Sequence, residues 1–372
     1  MSRVNDNFLL GLDIGTDSVK AIIAEKNKSN VLEIVGVGRV EQVSGAMNAG
    51  AIMNISAVTD SCERAIHEAE SMAGSGVRSV VVGIAGELVK CSTSRIHYQR
   101  KNGDRPLSDS EMTVLLEKVQ NSAREKAREE IAFETDNPHA EVSLINSAIV
   151  SVMIDGQKAN NPIGFRGEDV VLEFYTAFAP KVYVRSIEKV CADLNLDLLA
   201  IAVDPFAICR ACLGENNSAD SPAIVIDIGG GNTSIAVVDG DGIRGTETFS
   251  MGARSAEKDL SVWLSGVEIA LADFPHVSSF PCRIFLCGGG SADLDIQEAL
   301  AVSDWYKNLP FSRRPVIGLI EVSDLVDIEN KTTTEINSAY ITAIGLARVA
   351  LDVVGSEKNS RLTSRISRFL KN

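Results

Sequence analysis

Apolar runs and turn-forming residues alternate along the chain in a pattern that occurs twice. Runs at 8–12 and 19–24 flank Asp13-Ile14-Gly15-Thr16-Asp17-Ser18, and runs at 223–226 and 235–238 flank Asp227-Ile228-Gly229-Gly230-Gly231-Asn232-Thr233-Ser234. Short apolar runs bounded by Gly, Asp and Asn predict strand, tight turn, strand in each place. A third strand is expected over 31–40 and over 243–249, after the turn-formers Asn27-Lys28-Ser29-Asn30 and Asp239-Gly240-Asp241-Gly242. A three-strand meander with an acidic, glycine-rich first turn is therefore repeated. The repeat points to a duplicated fold that grips one ligand from two sides.

Helical spacing of apolar and small residues predicts helices over 55–73, 182–194, 293–300 and 335–354. A charged helix over 108–131 opens on Ser108-Asp109-Ser110-Glu111, a capping-box pattern. Asp204-Pro205 starts another helix, and the helix over 335–354 is expected to begin near Thr332-Thr333-Thr334-Glu335 and stop at Gly355. Further strands are expected over 78–84, 140–154, 170–179, 198–203 and 283–287. The texture changes between about 86 and 167, so that segment reads as an inserted subdomain. The expected organisation is a first domain at 1–86, the insert at 87–168, the first domain continued at 169–215, a second domain at 216–334, a connecting helix at 335–355, and a hinge with a terminal helix at 356–372.

A chain of 372 residues exceeds one ordinary core and suits two or more domains. With 45% hydrophobic and 23% charged residues it is globular. A formal net charge of -14 argues against non-specific binding of nucleic acid. The polar first residues and the short apolar run after them give no signal segment, and no run is read as long enough to span a membrane, so the cytoplasm is the expected compartment. Seven scattered cysteines speak against a disulfide framework. Cys209 and Cys212 form a CxxC, but without a second pair or a histidine they read as small buried thiols on a helix.

In a tight turn, glycines let successive backbone N–H groups converge on anionic oxygens. Gly15 and Gly229, Gly230 and Gly231 would serve in that way, with side-chain donors from Thr16, Ser18, Asn232 and Thr233 and a cation from Lys20. Asp13 and Asp227, at the strand ends, suit a magnesium ion held through its waters and the orientation of an attacking water. Gly288-Gly289-Gly290-Ser291 lies between a strand and a helix, where a flat ligand can approach the backbone and the helix N-terminus favours a phosphate.

The order Asp13-Ile14-Gly15-Thr16, Asp227 to Thr233, then Cys287-Gly288-Gly289-Gly290-Ser291 resembles the phosphate 1, phosphate 2 and adenosine motifs of the actin, DnaK-type chaperone and sugar kinase superfamily. Asp204-Pro205-Phe206-Ala207 resembles its first connecting helix, and Asn337-Ser338-Ala339-Tyr340 through Gly345-Leu346-Ala347 its second. Within the superfamily the chain is similar to the FtsA family of bacterial cell division. The insert after Val82-Gly83-Ile84-Ala85-Gly86-Glu87 sits where that family has its distinctive subdomain, and the stretch from Ile154-Asp155-Gly156 to Arg166-Gly167 is also FtsA-like. The resemblance implies an α/β, actin-like ATPase fold: two duplicated ribonuclease-H-like domains around a nucleotide cleft, with an inserted α+β subdomain. It implies ATP and magnesium as cofactors, with at most weak ATPase activity. Asp13 and Asp227 would serve metal and water, and Asp204 would help order the water. Gly15, Thr16, Ser18, Lys20, Gly229, Gly230, Gly231, Asn232 and Thr233 would hold phosphates, Asp17 would belong to the same cofactor-binding turn, and Gly288, Gly289, Gly290 and Ser291 would face the adenosine.

The chain departs from that family between Gly252 and Cys287, where there is room for one short helix in place of a whole small subdomain that packs on the adenine. Its end conforms. Leu362, Ile366, Phe369 and Leu370 fall at i, i+4, i+7 and i+8, with Arg361, Arg365, Arg368 and Lys371 on the other side. That is a basic amphipathic helix behind a polar hinge, suited to an anionic membrane surface. Each basic residue near such a surface contributes on the order of 1 kcal/mol. The expected function is an ATP-binding adaptor that self-associates and tethers FtsZ, the tubulin-like division protein, or an equivalent, to the inner face of the membrane. The rivals are a small-molecule kinase of the same superfamily and a PilM-like platform for type IV pili.

Overall fold

The computed structural model describes residues 4–29, 31–213, 222–239, 242–274 and 277–359. The terminal helix expected over 360–372, with Leu362, Arg365, Ile366, Arg368, Phe369 and Leu370, lies outside the described residues.

In chain order the first domain begins β1 (Phe8–Ile14), β2 (Ser18–Lys26) and β3 (Leu32–Glu41), then a small hairpin β4 (Met47–Asn48) and β5 (Ala51–Ile52), helix α1 (Ile55–Ala73) and β6 (Ser79–Ile84). The insert carries β7 (Lys90–Gln99), the long helix α2 (Asp109–Glu134), β8 (Val142–Ile154), β9 (Gln157–Lys158) and β10 (Asp169–Pro180). There follow α3 (Lys181–Asp193), β11 (Asp197–Val203) and α4 (Asp204–Leu213). The second half runs β12 (Ala223–Ile228), β13 (Thr233–Asp239), β14 (Gly242–Phe249), α5 (Ala253–Ala256), α6 (Leu260–Ala272), β15 (Arg283–Cys287), α7 (Leu294–Val302), β16 (Val316–Leu319), β17 (Ile328–Asn330) and α8 (Ile341–Asn359).

The duplication is visible in the strand order. The first sheet runs β11-β6-β1-β2-β3-β17 and the second β14-β13-β12-β15-β16. In each, three antiparallel strands form a meander, and the first of them continues into two parallel strands. The turns also correspond: Gly15 N–H donates to Ser18 O at 3.2 Å, and Gly229 N–H to Asn232 O at 2.9 Å. Strand β17 adds a last edge to the first sheet, in parallel with β3. Residues 328–330, expected in the second domain, thus return to the first.

The insert is a four-stranded antiparallel sheet, β7-β10-β8-β9, with α2 on one face. Met112, Leu115, Leu116 and Val119 of α2 pack on Val152, Ile154, Val170, Leu172 and Phe174. Ser108 caps α2 by accepting from Glu111 N–H at 3.2 Å, as its sequence pattern predicts. Strand β10 lies between β7 and β8, so the insert's sheet extends to Pro180 and past the expected boundary at 168. A long apolar run suits β10 because it is covered on both sides, with Val170, Leu172 and Phe174 against α2 and Tyr175, Ala177 and Ala179 in the first-domain core.

Helices α4 and α8 cross between the halves. Gly345 lets α8 approach α4: a Cβ there would fall 2.3 Å from Ala207 O. Gly11 does the same for α8 on β1, with Ala343 O at 2.1 Å from the corresponding point. Arg210 of α4 joins Asp352 of α8 at 2.6 Å, and Arg348 Nε stands 3.6 Å from the other Asp352 oxygen. The segment Ser338–Gly355 is long and apolar enough to cross a membrane, contrary to the sequence reading, yet 72% of it is buried within the protein. It is a core helix. Its start also differs from expectation: Asn337, whose side chain accepts from Ala339 N–H at 3.1 Å, opens a 3-10 turn that leads into α8.

Candidate functional site

The two acidic turns and Asp204 open onto one cavity of about 230 Å³ between the sheets. Asp13, Gly15, Thr16, Asp17, Ser18 and Lys20 line it from the first domain. Asp227, Gly229, Gly230, Asn232, Gly288, Gly289 and Gly290 line it from the second, and Asp204 from the first turn of α4.

Asp13 and Lys20 are cross-strand partners, and Lys20 Nζ lies 2.8 Å from Asp13 Oδ2 with both residues buried. Burial works against the Lys20 charge, but Asp13 and then Asp227 outweigh it and hold the ammonium above its ordinary value. In the duplicate hairpin the equivalent partner of Asp227 is Ser234. Asp227 therefore has no cation across its strand pair, and its Oδ2 accepts from Thr342 Oγ1 of α8 at 3.2 Å. Burial, followed by the Asp13 charge, pushes the Asp227 carboxyl up to about 6. Asp204 is 8% exposed, its Oδ1 has no hydrogen-bond partner, and burial together with Asp13 and Asp227 holds it well above the carboxylate range. Clustering three acids around one lysine leaves excess negative charge in a low-dielectric site. A cation or a hydrogen-bond donor would relieve it.

Gly288 has a φ of 85°, and a Cβ there would fall 2.2 Å from Asp227 Oδ1. Only glycine lets β15 turn beside the acid. Ser291 behaves differently from expectation. Its Oγ donates to Gly288 O at 2.7 Å and, its one hydrogen so used, accepts from Ser338 Oγ at 2.8 Å, so it fixes the turn from behind. Thr233, expected to hold phosphate, is fully buried: its hydroxyl donates to Met251 O at 2.7 Å and accepts from Trp263 Nε1 at 3.0 Å. Gly231 packs on Thr16. These three do not line the cavity. Thr342, Ser234 and Arg39 do, and sequence reasoning missed them. Arg39 alternates with buried Gly38 and Val40 on β3, a signal that register would have given, whereas Ser234 lies in an unbroken buried run of β13 and leaves no such mark.

Among the described residues no three His, Cys, Asp or Glu side chains form a metal cage. The donor set still fits a magnesium polyphosphate, because Mg²⁺ keeps several waters and takes one or two carboxylates beside the phosphates. Thr16 lines that space, and its hydroxyl is buried and unpartnered beside Gly231.

No protein-family model matches the sequence. The chain is 28% identical over 255 residues to the cell division protein FtsA of Neisseria meningitidis serogroup B, an alignment covering 68% of this chain and 57% of that one. It is 26% identical over 261 residues to FtsA of Bacillus subtilis strain 168, covering 70% and 55%. The chain thus spans little more than half the length of these curated relatives. Among solved structures, a chain of the PilM–PilN type IV pilus biogenesis complex superposes with a TM-score of 0.64 at 16% identity, over 92% of this chain and 98% of that one. The fold is that of the actin-like ATPases, and the chain is a homologue of the FtsA proteins.

Proposed function

We propose that this FtsA-like chain is a nucleotide-binding adaptor of cell division that links an FtsZ-type polymer to the cytoplasmic face of the membrane. The observation that supports it most is the convergence of Asp13, Asp204 and Asp227 on one cleft between duplicated sheets. Backbone N–H groups of the two turns would receive the phosphates of ATP, and Thr16, Ser18 and Asn232 would add side-chain donors. Gly288 to Gly290 would admit the adenosine end against the backbone. Asp227 and Asp13 would take a magnesium ion through its waters, and that ion would neutralise phosphate charge when bound. Asp204 would orient a water only as its carboxylate, the form that burial disfavours. Among the described residues between β14 and β15 only α5 and α6 are helical, which would leave the adenine little protein to stack on. Binding with slow or no turnover follows.

The membrane link rests on the basic amphipathic pattern of residues 360–372. The likeness to the pilus protein speaks for the fold and carries no role. The test is co-sedimentation with anionic vesicles, with and without ATP, of the full chain and of a chain ending at residue 356, followed by addition of FtsZ. The full chain should pellet and bring FtsZ with it, and the shortened chain should do neither. A full chain that stays in solution under every condition defeats the tether.

A further inference from the structure

The two anion-receiving turns do not stand apart; their own side chains join them. The Asp17 carboxylate lies against the bare Cα of Gly230, where a Cβ would fall 1.8 Å from Oδ2. Arg254 of α5 reaches across from the second domain. Its Nη2 donates to Thr16 O at 3.1 Å and pairs with Asp17 Oδ1. The backbone carrying this guanidinium is anchored on the second turn, with Ala253 N–H donating to Gly229 O at 2.8 Å and Arg254 N–H to Gly230 O at 3.3 Å. A cation fixed to one turn is therefore neutralised by a carboxylate from the other.

Lys20 cannot play this part, because it is buried and held by Asp13. Arg254 and Asp17 keep 53% and 44% of their side-chain exposure, so water screens the pair and holds it weakly. Carboxylate and phosphate are both oxyanions that guanidinium accepts in the same fork geometry. An aspartate on a turn that receives phosphate also repels it for as long as it stays in place.

We infer that Arg254 and Asp17 form a charge-exchange gate over the phosphate gap. In the free protein the Asp17 carboxylate occupies the guanidinium and the seat on Gly230. An arriving polyphosphate takes over the guanidinium, and Asp17 leaves its seat. No covalent bond changes. The inference rests on the nucleotide reading and names the regulation of that same site.

The test uses the full chain with Asp17→Asn and, separately, Arg254→Ala. Amide hydrogen exchange at residues 15–18 and 229–232, without ligand, reports the contact between the turns and should quicken in both variants. Titration with tripolyphosphate and with magnesium ATP reports the exchange. Asp17→Asn should bind each about two- to five-fold more tightly, the range of a half-exposed ion pair. Arg254→Ala should bind each more weakly than the unmodified chain. Unchanged exchange in both variants, or tighter binding by Arg254→Ala, overturns the gate while ATP binding itself stands. No uptake of either ligand at millimolar concentration by any of the three proteins ends the nucleotide reading and the gate with it.

Discussion

Replacing Asp352 with asparagine would leave two buried guanidinium groups without their shared anion. Arg210 donates to one Asp352 oxygen through Nε at 3.0 Å and Nη2 at 2.6 Å, and Arg348 approaches the other at 3.6 Å. The arginine side chains are 3% and 2% exposed and the aspartate 15%. At an effective dielectric of about 20, opposite charges about 4 Å apart interact by about 4 kcal/mol. Breaking a buried pair by removing one partner costs about 3–5 kcal/mol, since the charge left behind cannot be solvated. Asparagine keeps the shape and one acceptor oxygen, so about 3 kcal/mol is the expected loss. That is a large fraction of the roughly 5–15 kcal/mol that holds a domain folded. Urea unfolding followed by tryptophan fluorescence and by circular dichroism would measure it, as a lower midpoint with an unchanged slope. The double replacement of Asp352 by leucine and Arg210 by methionine should recover part of the loss, because it removes one of the two guanidinium groups that Asp352 serves. A loss below about 1 kcal/mol for Asp352→Asn would refute the claim that this pair is desolvated and that it fastens α4 to α8.

Asp227 sets a pH dependence with a definite sign. Its carboxyl is raised to about 6 in the folded state, so the folded protein binds a proton that the unfolded chain releases between about pH 4 and 6. Stability should fall as pH rises through that window, by about 3 kcal/mol when complete. Asp227→Asn should flatten that fall and raise the urea midpoint at pH 7.5; an equal or steeper fall in the variant would refute the assignment. Thr233→Val should cost about 1–3 kcal/mol by leaving Trp263 Nε1 without an acceptor. It should leave ATP affinity unchanged, and a loss of affinity in isothermal titration without a loss of stability would return Thr233 to the phosphate site.

The paired meanders were legible because strand, turn and strand each leave a local signature. Alternating or continuous apolar runs mark the strands, and a short Asp-Gly or Gly-rich break marks each turn. Position on a strand decides which face a side chain takes, and a shift of one residue reverses it. Thr233 and Ser234 are adjacent, yet the first is committed to the Trp263 core and the second lines the cleft. Residue type alone cannot make that distinction. Strands β16 and β17 are four and three residues long and carry no periodicity to read. The start of α8 was misread because Thr332 to Thr334 look like a cap, whereas Asn330 takes the Thr332 N–H and Asn337 opens the helix turn. The partner of Asp17 is 237 positions away, and only the packing of the two halves brings Arg254 to it.

Strand β17 has a mechanical consequence. The chain leaves the first domain after α4, builds the second, and comes back to pair with β3 before entering α8. The second half is joined to its neighbour by these chain crossings and by side chains as well: Tyr175 Oη meets Thr246 Oγ1 at 3.1 Å, and Arg244 pairs with Glu173 at 2.5 Å. Val225, Ala236 and Val238 of the second sheet also share a core with the first domain. Widening the crevice therefore has to part packed and hydrogen-bonded surfaces, and bending the connecting chain alone does not open it.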